Sequence, residues 1–120
     1  MNCRCLTNNP MVKNKGLSFI EFINGAPIDL LYLIRTEILK GFKLITHPLS
    51  SSLKPNFSPY KTVFLTLESE NGVDDESLHI IEKAIEYTED LMKNQGIPNW
   101  DKESLKDFQL VDLDLIKDLF

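Results

Sequence analysis

The residues best suited to chemistry lie close together in the chain. Between Leu44 and Leu65 the sequence reads LITHPLSSSLKPNFSPYKTVFL. Two apolar runs flank a segment with three prolines, four serines, one histidine and one lysine. His47 precedes Pro48, which disfavours helix and holds Thr46 and His47 extended. A neutral imidazole there can bind a ligand or take a proton near neutral pH; it can equally hydrogen-bond the loop backbone. Ser50, Ser51 and Ser52 offer hydroxyls and backbone N–H groups, and Lys54 offers a positive charge. A small anion such as a carboxylate or phosphate fits that set; so does a plain serine-rich turn with an exposed lysine. Thr46, Asn56 and Tyr60 complete the polar groups of the loop. The Tyr60 ring is expected to pack, with its hydroxyl reaching a loop carbonyl. Pro48, Pro55 and Pro59 each fix φ and lower the entropy lost on ordering. The segment Thr46–Tyr60 is therefore expected to be an ordered loop, with His47 and one of the serines facing the region after Thr7.

Other candidates lie outside this loop. Asn8 and Asn9 suit a helix cap or a polar ligand. Arg35 falls on a helical stripe with Leu31 and Leu39, where a charge is costly unless paired. It either pairs with an acid of the C-terminal half or turns its fork to a carboxylate at the loop. The P-loop glycines are absent, so a nucleotide is not indicated. Two histidines in 120 residues support no Ser-His-Asp or Cys-His order, and catalytic residues stay unassigned. Cys3 and Cys5 form C-x-C, too few thiols for a structural zinc. They read as buried, idle thiols. No metal and no cofactor is expected.

Composition bounds what the site can serve. The chain reads as one domain over residues 1–120, of ordinary apolar and charged content. Net charge is −5. Residues 1–67 carry eight Lys and Arg against three Asp and Glu, and residues 68–120 carry five against fifteen. Either the two halves attract each other or the acidic helices face solvent. Without a dense basic patch, nucleic acid is not an expected partner. No apolar run reaches the ~18 residues of a membrane span, and the N-terminus lacks the apolar core of a secretory signal. A cytoplasmic protein, off the membrane, is the expectation.

The elements that must position these residues can be read from pattern and caps. Arg4–Thr7 predicts a strand that turns at NNP, and MVKNK before Gly16 predicts one helical turn. Leu17–Ile23 has the aromatic and β-branched content of a strand. PIDLLYLIRTEILKG is a helix with Pro27 and Asp29 in its first turn and Gly41 just beyond its end. KLIT, Lys43–Thr46, predicts a buried strand, and Lys61–Glu68 another. DDESLHIIEKAIEYTEDLMKNQG is a long amphipathic helix. A short helix starts at Asp101, and VDLDLIKDLF fits strand or helix spacing, with helix favoured. This order predicts an α/β fold: a small mixed or parallel sheet of about four strands with helices packed on it, in a Rossmann-like layered architecture. If the strands ending at Thr7, Ile23 and Thr46 run parallel, NNP, NGAP and HPLSSSLKPN emerge at one edge. Open α/β sheets bind their ligands at that edge.

Three blocks of sequence carry a family resemblance. One is TNNP, Thr7–Pro10, followed by Val12 and Lys13. The second is Arg35, eleven residues before Thr46. The third is KGFKLITHPLSSSLKPNFSPYKT, Lys40–Thr62. Its T-H-P-L-S-x-S-x-K-P-N-x-x-P-Y is long and compositionally unusual. Together they resemble the GrdX family, and the likeness continues through DESLHIIEKAIE to VDLDLIK. The resemblance implies an accessory protein of the glycine, sarcosine and betaine reductase gene clusters of amino-acid-fermenting anaerobes. It implies partners among the reductase or thioredoxin-system components and brings no catalytic residues with it. The competing expectation is a small enzyme acting on a carboxylate or acyl phosphate at the THPLSSSLKPN loop.

Overall fold

The computed structural model describes residues 3–48, 58–96 and 99–117. Strand β1 (Cys3–Thr7) leads into a single helical turn, α1 (Pro10–Lys13), and then β2 (Ile20–Phe22). Helix α2 (Pro27–Leu39), strand β3 (Thr62–Thr66) and helices α3 (Asp75–Gln95) and α4 (Lys102–Ile116) follow. The three strands form one mixed sheet in the order β2-β1-β3, with β1 parallel to β2 and antiparallel to β3.

Side-chain alternation along β1 divides the core in two. Leu6, opposite Val63, faces α2 and α3 and packs with Leu65, Leu30, Leu31, Ile34, Ile38, Ile81, Ala84 and Ile85. Cys3 and Cys5 point the other way, toward Val12, Phe64 and Ile116 of the α1 and α4 side. Strands β1 and β3 are therefore buried on both faces, which explains why CRCLT and TVFLT lack polar alternation. Both cysteines are free and buried. Burial pushes the Cys5 thiol up to about 12 and raises Cys3 as well, so both stay protonated and unreactive at neutral pH.

Arg4 ties three elements together. Its Nε and Nη2 donate to both oxygens of Glu21 on β2, at 2.8 and 2.7 Å, and Nη2 also donates to Glu37 of α2 at 2.8 Å. Its guanidinium lies 4.5 Å from the centre of the Phe42 ring. Burial pushes the Glu37 carboxyl up, but its contacts with Lys40 and Arg4 outweigh that and hold it below the ordinary range. The charge-rich helix α3 turns Glu82, Glu86, Glu89 and Asp90 to solvent. Attraction between the two halves is visible in the exposed pair Lys43–Glu70 at 3.2 Å.

Among the described residues the sheet has three strands, where about four in a Rossmann-like layered architecture were expected. Lys43–Thr46 makes one bridge, Leu44 to Leu65, antiparallel to β3. Side-chain hydroxyls interrupt the ladder. Lys43 N–H donates to Thr66 Oγ1 and Phe64 N–H to Thr46 Oγ1, while Leu44 N–H, which points away from β3 at this bridge, donates to Ser77 Oγ. Backbone groups bonded to side chains are lost to strand pairing. The segment still runs in the direction of β1 and β2, because it opposes β3. The strand expected over Leu17–Ile23 also contracts. Ile20 N–H bonds back to Leu17 O in a turn after Gly16, and pairing with β1 holds only Ile20–Phe22. The ambiguous C-terminal run is helical as far as Ile116.

Gly41 permits the return from α2 to the sheet edge. Its φ is +109°, and a Cβ there would lie 2.1 Å from the Glu70 carbonyl oxygen. Glu70 N–H in turn donates to Gly41 O at 3.0 Å. Strained backbone and a clash with main chain act together, so Gly41→Ala should destabilise the protein by about 3 kcal/mol or more. Urea denaturation measures this; a loss below about 1 kcal/mol would show that the turn relaxes without it.

Candidate functional site

The end of β1 gathers a polar cluster. Asn8 is buried and its amide is fully used. Nδ2 donates to Gly25 O at 3.0 Å and to Pro59 O at 2.9 Å, while Oδ1 accepts from Lys61 N–H at 2.8 Å. One side chain thus joins the NNP turn, the NGAP turn and the start of β3. No strand is available to these connecting segments, and a buried amide with two donors and an acceptor replaces the ladder.

Asn9 works on the other side of the sheet. It caps α1 by accepting from Met11 N–H at 3.0 Å, and its Nδ2 donates to Gln109 O and Asp112 Oδ2 of α4, both at 2.9 Å. Asp112 Oδ2 also accepts from Thr62 Oγ1 at 2.7 Å, and Thr62 Oγ1 lies 2.8 Å from Thr7 Oγ1. The pair Thr7 and Thr62 is the last in the β1–β3 register, so this chain of bonds fixes α4 at the carboxyl end of β1. Tyr60 joins it from the connecting segment, its hydroxyl accepting from Gln109 Nε2 at 2.8 Å. The Tyr60 hydroxyl keeps its own proton to donate, and most of the loop carbonyls it was expected to reach lie outside the described residues.

Among the described residues, two buried atoms of this region make no hydrogen bond: Lys61 Nζ and Asp112 Oδ1. Lys61 is only 1% exposed, as is Asp112. Lys61 is held by its backbone, whose N–H and carbonyl both engage Asn8. Burial pushes its amine down to about 8, while the Asp112 charge works in the opposite direction.

The candidates of the sequence reading divide into three groups. Asn8, Asn9 and Tyr60 meet in one network. Thr46 lies in the segment alongside β3, its hydroxyl accepting from Phe64 N–H, and His47 follows as an exposed residue. Ser50, Ser52, Lys54 and Asn56 lie outside the described residues. Arg35 is separate: it stacks on Tyr32 of its own helix, 5.3 Å from the ring centre. Its supposed stripe is not a core stripe, since Leu39 is 54% exposed. Tyr32 OH, and not Arg35, reaches the C-terminal half, donating to Glu89. Among the described residues no group of His, Cys, Asp or Glu is arranged to hold a metal, and no helix is long and apolar enough to cross a membrane.

Sequence reasoning missed Lys61, Thr62, Gln109 and Asp112. A lysine at the start of a strand reads as a solvent-facing residue. Asp112 did leave a signal. Leu105, Gln109, Asp112 and Ile116 recur at helical spacing, which puts a carboxylate on the inner stripe of α4. A shallow groove lined by Trp100, Ser104, Asp107, Phe108 and Val111 lies farther along α4; none of the candidate residues lines it.

The buried amine makes stability depend on pH. Below about pH 8 Lys61 is charged in both states, and the folded chain carries the cost of its burial. Between about 8 and the ordinary value of 10.5, the unfolded chain holds a proton that the folded chain has released. Stability contributed by this group therefore rises with pH across that window. Lys61→Met should be more stable than the parent at pH 7, by up to about 3 kcal/mol, with the advantage shrinking as pH approaches 10.5. Parallel urea titrations check it; a pH-independent difference would exclude an uncompensated ammonium.

Comparison with known proteins yields one family. No curated protein and no solved structure matches the chain at a significant level. The family model described as GrdX-like protein matches residues 4–120. That span takes in the β1 carboxyl end, the loop and all of α4, and the chain belongs to the GrdX-like protein family.

Proposed function

We propose that the protein serves the glycine, sarcosine and betaine reductase system as a non-catalytic accessory protein, acting in the cytoplasm through a binding region at the carboxyl edge of its sheet. Family membership supports the association with the reductase system. The observation that carries the binding region is Asn8, whose one side chain holds Gly25, Pro59 and Lys61 together at the end of β1. Three connecting segments held at one edge form a preorganised surface, and preorganised groups bind with less entropy lost. In this reading Asn8 and Asn9 are the frame. Thr46, His47, Ser50, Ser52, Lys54, Asn56 and Tyr60 supply the contact surface to a small anionic ligand or to a reductase or thioredoxin-system component.

Affinity capture of the protein at native level from glycine-grown cells should recover a reductase or thioredoxin-system component. Recovery of neither would count decisively against a physical partnership. His47→Ala should weaken that recovery while lowering stability by no more than about 1 kcal/mol, as expected of an exposed residue. A loss of several kcal/mol in chemical denaturation would make His47 a structural clamp and remove it from the contact surface.

A further inference from the structure

Helix α4 carries a groove that uses none of the residues gathered at the end of β1. Trp100, Ser104, Asp107, Phe108 and Val111 line this shallow recess of about 160 Å³. Cavities of that size hold a benzene ring. The Trp100 and Phe108 rings meet edge to face, with centroids 4.8 Å apart and planes inclined at 64°. Two rings packed in this way leave a corner bounded by a face of each. Both rings are only half-buried, so packing against the body of the protein leaves part of their surface to the groove.

The walls of the groove select by charge. An aromatic face carries the negative part of the ring quadrupole and attracts a cation. Asp107 supplies the charge of the lining, and no lysine or arginine lines the groove among the described residues. Asp101 adds a carboxylate close by, accepting from Ser104 N–H at 2.7 Å. With Glu103 in the first turn, it offsets the positive end of the helix. An anion would meet these carboxylates with like charge. A neutral apolar group would use the rings and leave the charge of Asp107 unanswered. A plain ammonium ion would have to give up tightly held water to touch the rings. A cation sheathed in methyl groups suits every wall, because its methyl groups pack on the rings and Val111 while its charge answers Asp107. We propose that the groove of α4 binds a small methylated ammonium ion, held in the corner between Trp100 and Phe108 with Asp107 as its counter-charge. This site goes beyond the binding region at the carboxyl edge of the sheet and shares no residue with it.

The chain has one tryptophan, so its emission reports on the groove directly. The full chain is titrated with tetramethylammonium chloride, with ionic strength held constant by sodium chloride. Trp100 emission should change saturably, with a midpoint in the millimolar range. Two controls carry half of the chemistry each: tert-butanol has the methyl groups without the charge, and ammonium has the charge without the methyl groups. Neither should saturate at the same concentrations. Asp107→Asn should weaken tetramethylammonium binding about fivefold, as loss of an exposed charge partner does. Phe108→Leu keeps an apolar side chain, removes the ring face and should weaken it at least about threefold. Asp107 is exposed, so Asp107→Asn keeps the test decisive if Phe108→Leu disturbs packing. The proposal is overturned if tetramethylammonium gives no saturable change, or if Asp107→Asn binds it like the parent. It is equally overturned if tert-butanol binds as well, which would make the groove a plain apolar surface. A shift of Trp100 emission on dilution of the ligand-free chain, with dimer passing to monomer in sedimentation, also overturns it, because a second copy then covers the groove.

Discussion

The carboxyl end of β1 has to satisfy buried polar groups on both faces of the sheet at once. Thr7, Asn8 and Asn9 are all nearly inaccessible, and the strand ladder ends at Thr7. Beyond that point each backbone group needs another partner or carries the penalty of an unmade hydrogen bond. Asn8 meets the demand toward the NGAP turn and the start of β3. Asn9 meets it toward α1 and α4. The rest of the structure is arranged around these two amides. They set where β3 begins, where α2 can start, and how α4 lies across the second face of the sheet.

Arg4 is the matching constraint at the other end of β1. Its fork joins Glu21 of β2 and Glu37 of α2, and its face covers Phe42. Exposed ion pairs contribute little, but this guanidinium is mostly covered and holds two carboxylates in fixed geometry. Placing charge at that end leaves the Thr7 end to neutral amides and hydroxyls, with Asp112 and Lys61 as its only buried charges among the described residues. Glu37 Oε2 makes no hydrogen bond but lies 3.0 Å from Lys40 Nζ, whereas no ion pair joins Lys61 and Asp112.

The elements were legible wherever a local rule decided them. Pro27, Asp29 and Gly41 bound α2 as their chemistry requires, and Asp74 and Asp101 cap α3 and α4 by accepting from Ser77 and Ser104 N–H. The family was legible because the Thr46–Tyr60 motif is long and unusual. Strand number was not. KLIT has the content of a strand, yet the Thr66 and Thr46 hydroxyls take up N–H groups that a ladder would have used. Each meets its partner 23 or 18 residues away in the chain, and no local pattern announces it. Arg35 illustrates the opposite failure. Its stripe looked apolar, but Leu39 lies on the outer face of α2.

By itself, the sequence determined the family, the α/β class, the helices and their caps, and the placing of two asparagines at the end of a strand. These follow from periodicity, capping and motif, all of which act over a few residues. Only the tertiary structure decided what the asparagines do, because their partners are Gly25, Pro59, Lys61, Gln109 and Asp112, up to 103 residues distant. It also decided that Lys61 and Asp112 are buried and unpaired. Both residue types usually face water, so their burial is set by the packing of β3 and α4 against the end of β1 and not by any property of their own neighbourhoods in the chain.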